Sequence, residues 1–358
     1  MDRIRYGIIG TGAITLRAHL PVLAMMDDVE VIALCNPSRE RAEQGAALCR
    51  RPPRLFSDYR DLLALSDLDV VVVASPNHTH REITLAALAA GKNVLCEKPM
   101  ATTLEDCLDV SRASAEYDLI LQYGLELRYS DLYRRVAGLI DSGQVGQLRL
   151  LFCKEFRHPV LPGSSGWRAD SARAGGMFLE KNCHHFDLFN WLAGSEPIRV
   201  AAMGGADVNP GGQVDNAWVT VEYANGVRAC LGLCLFSPFG NDLEVSAVGD
   251  AGKLESFAFN QVIHQWAADR PDHTVHNVAF DPLFGDVRQE LREKERSILW
   301  ERSMIYREHR DMVESLRNGR RPLVDASIAL QSCVVPLAAH RALETQSVVT
   351  IAGPQFSR

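Results

Sequence analysis

The sequence contains no run approaching the roughly 18 consecutive apolar residues of a membrane-spanning helix, and no block of Lys and Arg interleaved with aromatic residues. The first absence argues against a membrane partner. The second, with a formal net charge of −7, argues against nucleic acid, whose phosphate backbone a negative chain repels. The nine cysteines are an odd number, scattered without a C-x-x-C pair, with Cys230 and Cys234 the nearest two. That pattern offers no disulfide framework, and buried, reduced thiols are expected. The stretch from Met1 reaches Gly10 too soon to hold the apolar core of a signal peptide, so the expected compartment is the cytoplasm. No internal repeat or low-complexity tract is present.

What is there is ordinary globular material. Hydrophobic residues make up 47% of the 358 and charged residues 23%, and the length exceeds what one hydrophobic core usually organises, so two domains are expected. From Arg3 to Tyr123 short apolar runs alternate with helical stretches, the grammar of β-α-β units. Strands are predicted at 5–9, 29–35, 70–74, 93–96 and 119–123, with helices near 13–25, 39–49, 79–90 and 104–117. The run from Val70 to Ala74 is uninterrupted, as a strand covered on both faces should be. After a helix at 131–142 long strands follow one another directly, at 147–157, 198–204, 217–223, 227–236 and 243–249, which predicts an antiparallel sheet. Asn225-Gly226 reads as a type I′ hairpin turn. One helix at 176–193 interrupts the series, and helices near 303–318 and 328–345 close it, separated by Gly319-Arg320-Arg321-Pro322. The stretch 271–285 reads as loop. The expected architecture is therefore a doubly wound parallel sheet over 1–123 and an α+β domain with a large, mostly antiparallel open sheet over 124–358.

The first strand runs into Gly10-Thr11-Gly12-Ala13-Ile14-Thr15, a variant of the dinucleotide fingerprint of Rossmann domains. Small residues there let the backbone approach a pyrophosphate at the amino terminus of the next helix. Thr15 stands where a third glycine is usual. The second strand ends in Cys35-Asn36-Pro37-Ser38-Arg39, where a ribose ligand is expected. Asn36 lacks a carboxylate that would repel a 2′-phosphate, and Arg39 could pair with one. Equally, Asn36 could bind the 2′-hydroxyl of NAD while Ser38 caps a helix. Both NAD and NADP stay open.

Two further stretches, Ala74-Ser75-Pro76-Asn77-His78-Thr79-His80 and Ala90-Gly91-Lys92-Asn93-Val94-Leu95-Cys96-Glu97-Lys98-Pro99, resemble the P-N-x-x-H and E-K-P motifs of the glucose-fructose oxidoreductase, inositol dehydrogenase and MocA family (Gfo/Idh/MocA). The likeness continues through 123–129, Gly175-Gly176 and 248–252, and so covers nearly the whole chain. It implies an NAD(P)-dependent oxidoreductase acting on a secondary hydroxyl of a sugar, inositol or related polyol. It implies that Ser75, Pro76, Asn77, His80, Glu97, Trp167 and Arg168 lie at the cofactor, and that Lys98 lies beside both nicotinamide and substrate. Independently of the likeness, a lysine at the carboxyl end of a parallel strand stands where such sheets bind ligands, and can stabilise a developing alkoxide.

In Glu180-Lys181-Asn182-Cys183-His184-His185-Phe186-Asp187 the family usually has D-x-x-x-H, with the histidine exchanging the hydroxyl proton; Glu180 and His184 match it. On one helix these two would share a face, and the carboxylate could orient the imidazole. Adjacent His184 and His185 point about 100° apart on a helix, which speaks against a metal site. Arg128 and Arg157 are candidate substrate ligands. Two other readings fit the same residues: a glycoside hydrolase that retains NAD and works through transient oxidation at C3, and a dinucleotide-binding protein without catalysis. An apolar sheet face including Val219, Val221, Leu231 and Leu233 is expected to join copies into a homodimer or homotetramer.

Overall fold

The protein is described from a computed structural model covering residues 3–159, 166–208, 212–238, 240–279 and 293–351. It divides into two compact units, residues 1–129 with 298–330, and residues 130–297 with 331–358. The domain boundary expected at 123–124 thus misses the segment from Ile298 to Leu330, which belongs with the first unit. Apolar residues Ile305, Met312 and Val313 enter the core around Tyr6, Ile8 and Leu95, and Arg310 and Arg317 both reach Asp28, at 2.7 and 2.8 Å. An amphipathic helix late in the chain carries no sign of which unit it will cover.

The first unit holds six strands, β1 (Ile4–Ile9), β2 (Val29–Cys35), β3 (Arg54–Phe56), β4 (Val70–Val73), β5 (Asn93–Glu97) and β6 (Leu121–Gly124). All pair in parallel, in the order β3-β2-β1-β4-β5-β6. The order reverses between β1 and β4, and the carboxyl edge at such a reversal is where doubly wound sheets open a crevice. The four valines of β4 are fully buried, which is why that run carries no polar alternation. The short edge strand β3 was not legible, having three residues and no apolar pattern.

The second unit is built on nine strands: β7 (Leu148–Phe156), β8 (Pro197–Gly205), β9 (Asn216–Tyr223), β10 (Arg228–Cys234), β11 (Asp242–Gly249), β12 (Gly252–Phe257), β13 (Val262–Ala267), β14 (His273–Asn277) and β15 (Val349–Thr350). Their order is β14-β13-β12-β11-β7-β10-β9-β8-β15. Every pairing is antiparallel except that of β10 with β7. The stretch from 271 is therefore not all loop: its first part forms β14, and 280–285 lies outside the described residues. The β9–β10 turn also differs from the type I′ expectation. Gly226 takes a φ of 86° while Asn225 is not among the residues of positive φ, and Gly226 N–H donates to Tyr223 O at 2.9 Å. That is a three-residue turn closing on a left-handed glycine, the usual alternative to a two-residue loop.

The apolar face assigned to association is the inner one. Val219, Val221, Leu231 and Leu233 are all buried within the unit. Strand parity sends the intervening residues outward, and Leu150, Met203 and Trp218 are exposed at 49%, 79% and 56%. Phe152 stacks with Trp218, ring centroids 6.4 Å apart. The indole lies over Gly232, where a Cβ would come within 2.8 Å of the ring. The sheet does present an open apolar face, made by the opposite set of side chains.

On β7 the inward positions Leu151, Cys153 and Glu155 include one carboxylate, with no exposed surface. Arg157 Nε donates to Glu155 Oε1 at 2.7 Å, Lys181 Nζ lies 3.0 Å from the same oxygen, and His185 Nε2 lies 3.4 Å from Oε2. Burial works against the anion, but Lys181, His185 and Arg157 outweigh it and hold the carboxyl well below its usual range. Removing the anion leaves three cationic or polar partners stranded around a buried hole. Glu155→Ala is expected to lower the unfolding free energy by about 3 kcal/mol in urea titrations at neutral pH. Because the folded-state value is depressed, the wild-type advantage should be complete above the ordinary carboxylate value of 4.5 and fall away on acidification below it; an advantage that is flat from pH 7 to pH 3 would contradict this account.

Candidate functional site

The glycine loop sits at the carboxyl end of β1, beside β4. Gly10 has a φ of 100°, and a Cβ there would lie 2.4 Å from Ala74 O, so only glycine lets the two strand ends come this close. At Gly12 a Cβ would meet nothing within 4 Å, leaving the backbone open to a ligand. Thr15 explains the departure from a third glycine: its hydroxyl donates to Gly10 O at 2.7 Å and ties the loop from inside. The helix that follows runs over 13–23, with a π-turn at Thr15–His19, and so starts where predicted and stops two residues before 25. With Gly12, Ala13 and Ile14 at the mouth of this turn, the loop fits a dinucleotide pyrophosphate.

At the end of β2, Asn36 Oδ1 accepts from Ser38 N–H at 2.8 Å. Ser38 caps the next helix, accepting from Arg41 N–H at 3.4 Å, and Arg39 pairs with Glu43 one turn on, at 2.8 Å. These are the contacts of a strand-to-helix turn. Beyond β4, Ser75 Oγ and Thr79 Oγ1 are 2.7 Å apart, and Pro76 and Asn77 begin a single 3-10 turn. His80, expected at the cofactor, is bonded within the unit. It has no exposed surface, and its ring nitrogens lie 2.9 Å from Ser75 O and 2.7 Å from Pro99 O. Burial pushes its imidazole below the usual value. The residue staples the loop after β4 to the loop after β5.

Lys98 follows directly on β5, between Glu97 and Pro99, at the carboxyl edge of the parallel sheet. Glu97, expected at the cofactor, makes an internal hydrogen bond. Its carboxylate Oε1 accepts from His19 Nε2 at 2.9 Å, and His19 Nδ1 lies 3.0 Å from His309 Nε2. Both imidazoles are fully buried. Burial opposes the Glu97 anion, yet the His19 hydrogen bond and the charges of His19 and Lys98 hold it below its usual range. Nearby Glu126 is pushed up to about 8, by burial first and then by the Glu301 and Glu97 carboxylates. Glu308, also fully buried, is raised well above its usual range for the same reasons. Neither His19, His309 nor Glu308 stood out in the sequence. His19 and Glu308 fall inside helical stretches and carry no motif of their own.

Arg128, in the 3-10 turn Glu126–Tyr129 of the first unit, is buried at 9% exposure. The remaining candidates belong to the second unit. The helix predicted over 176–193 is two, Met177–Glu180 and Cys183–Ala193, separated at Lys181 and Asn182. Glu180 and His184 therefore do not share one regular helical face. Instead Arg168 Nε donates to Glu180 Oε1 at 2.8 Å, and the Arg168 guanidinium lies over the Trp167 ring, 4.8 Å from its centroid. Trp167, Arg168 and Glu180 form one group, and His184, half-buried, stands at the start of the second helix. Its neighbour His185 is buried against Glu155, and Arg157 is committed to the same carboxylate and to the Phe259 ring, 5.1 Å away. The first of the two helices starts after Gly176, where a Cβ would lie 2.5 Å from His340 Nε2; His340 Nε2 accepts from Phe178 N–H at 3.1 Å.

Among the described residues no helix is long and apolar enough to cross a membrane. Residues 4–125 match an oxidoreductase family with an NAD-binding Rossmann fold, and residues 133–255 match the Gfo/Idh/MocA C-terminal domain. The chain is 31% identical over 255 residues to inositol 2-dehydrogenase 2 of Saccharopolyspora erythraea, covering 69% of this chain and 71% of that one. It is 28% identical to inositol 2-dehydrogenase of Pseudomonas fluorescens, over 70% of this chain and 73% of the other. Its fold is that of the WlbA dehydrogenase of Bordetella pertussis, solved with NADH and UDP-GlcNAcA, at a TM-score of 0.84, 22% identity and coverage of 98% and 99%. With an NAD-binding Rossmann unit ahead of the matching C-terminal domain, the chain belongs to the Gfo/Idh/MocA family of oxidoreductases.

Proposed function

We propose that the protein oxidises, reversibly, a secondary hydroxyl of a sugar, inositol or related polyol. The observation that carries this reading is the position of Lys98 in the loop after β5, in the same sheet edge as the open backbone of Gly12. The bound nicotinamide supplies the hydride acceptor or donor. Gly10, Thr11, Gly12, Ala13 and Ile14 hold the pyrophosphate, and Asn36 with Ser38 and Arg39 lines the ribose end, compatible with either NAD or NADP.

In the oxidative direction the carbon gives up a hydride, its hydroxyl gives up a proton to His184, and a carbonyl remains. Lys98 holds the reacting oxygen as charge builds on it. Glu180, held by Arg168, offers its carboxylate to substrate hydroxyls, and Arg128 is a further substrate ligand. The outward face of Leu150, Phe152, Met203 and Trp218 joins copies of the chain into a dimer or tetramer.

Lys98→Ala and His184→Ala are each expected to lower kcat by at least about 100-fold while NADH dissociation constants stay within a few-fold; wild-type turnover in either variant removes that residue from the mechanism. A panel of polyols and aldoses with both cofactors should give an absorbance change at 340 nm, one per molecule oxidised, whereas release of sugar without that change would identify a hydrolase. Light scattering at micromolar concentration should report a dimer or larger, and Trp218→Glu should shift it towards monomer; a monomeric wild type would contradict the association.

A further inference from the structure

Glu97 is the residue before Lys98, and its carboxylate is engaged within the first unit. Three features hold it there. It accepts from His19 Nε2 at 2.9 Å, and His19 is itself held at its other nitrogen by His309, 3.0 Å away. Gly124, its partner on β6, lacks the Cβ that would stand 3.2 Å from the carboxylate. Finally, a ligand oxygen of Glu308, fully buried and with neither side-chain oxygen hydrogen-bonded among the described residues, lies within 4.8 Å of the His19 and Glu97 ligand atoms.

Two imidazoles and two carboxyls this close have two physical explanations. One is a metal ion. Tetrahedral zinc, with ligands at about 2.0–2.1 Å, sets its donor atoms about 3.3 Å apart. The contacts on both sides of His19 are shorter than that and have hydrogen-bond geometry, and the second one uses the nitrogen that would face away from the ion. The other explanation is an array of hydrogen bonds around a single buried anion. Glu308 is kept as the neutral acid by burial and by Glu97 and Glu126; His309 is kept neutral by burial and by His19. That leaves Glu97 as the anion.

We infer that His19, backed by His309, is a positioning residue for Lys98: by fixing the Glu97 carboxylate inside the sheet edge it sets where the adjacent ammonium stands. His80 performs the same service from the other side through Pro99 O. The inference rests on the role assigned to Lys98 above. It adds that turnover depends on a hydrogen bond buried behind the site, made by residues that touch no substrate.

The test compares His19→Leu, His19→Gln and Glu97→Gln with Lys98→Ala in the full-length protein. Leucine removes both hydrogen bonds; glutamine retains an N–H that can reach Glu97. His19→Leu and Glu97→Gln should each lower kcat at least about tenfold, with KM and NADH affinity within about threefold, and His19→Gln should recover most of the loss. In the wild type, nitrogen-15 histidine NMR should show a slowly exchanging ring N–H that exchanges faster in Glu97→Gln, because a neutral amide oxygen accepts more weakly than a carboxylate; this variant is close in volume and keeps the measurement available if His19→Leu does not fold. Full kcat in a folded Glu97→Gln, or glutamine no better than leucine at position 19, would overturn the inference. So would one equivalent of zinc in the purified protein that is lost on His19→Leu. If Lys98→Ala itself turns over normally, the functional reading fails; if only the His19 and Glu97 variants do, that reading stands and this inference falls.

Discussion

Two strand ends can only lie side by side in this sheet because residue 10 has no side chain. The backbone at Gly10 passes so close to Ala74 O that a methyl group would sit 2.4 Å from it, and the geometry of the whole carboxyl edge descends from that approach. Ser75, next to Ala74, offers its carbonyl to His80; His80 reaches on to Pro99 O; Pro99 follows Lys98. The His80 side chain thus links the loop beside Gly10 to the loop that carries Lys98. The glycine loop and Lys98 stand on one carboxyl edge of the parallel sheet.

Both units contain the same electrostatic device. Each places a carboxylate at the inward side of a strand, Glu97 on β5 and Glu155 on β7, and each surrounds it with histidine and a cation. A buried anion is costly unless its partners and hydrogen bonds are all present. When they are, the neighbours lose their freedom as well. In the first unit the neighbour in sequence is Lys98; in the second the carboxylate's partners Lys181 and His185 flank the start of the helix Cys183–Ala193, on which His184 stands.

The sequence was most readable where a single local rule decides the structure. The buried run Val70–Val73 and the glycine loop follow from strand burial and backbone sterics, the motifs around Asn77 and Lys98 were legible through their resemblance to a family, and the parallel and antiparallel halves were separable from their rhythm alone. Misreadings came where partners lie far apart in the chain. The helix expected over 176–193 is interrupted at Lys181 and Asn182. His80 and Glu97 make internal hydrogen bonds to residues far off in the chain that no local pattern announces. The sheet face was assigned with the wrong parity, although Trp218, Thr220 and Glu222 on the alternate positions of β9 carry the polar signal. Glu155 was legible too: a carboxylate on the parity of Leu151 and Cys153 has to be matched from within.

The central claim is that a carbon-bound hydrogen of a polyol passes directly to the nicotinamide while Lys98 and His184 manage the oxygen and its proton. The most direct measurement uses a polyol deuterated at the oxidised carbon and follows the isotope. One deuterium per turnover should appear at C4 of the reduced nicotinamide, with none exchanged into solvent. Product formed with no deuterium in the cofactor, or with the label washed out to water, would contradict direct hydride transfer and with it the account given for this site.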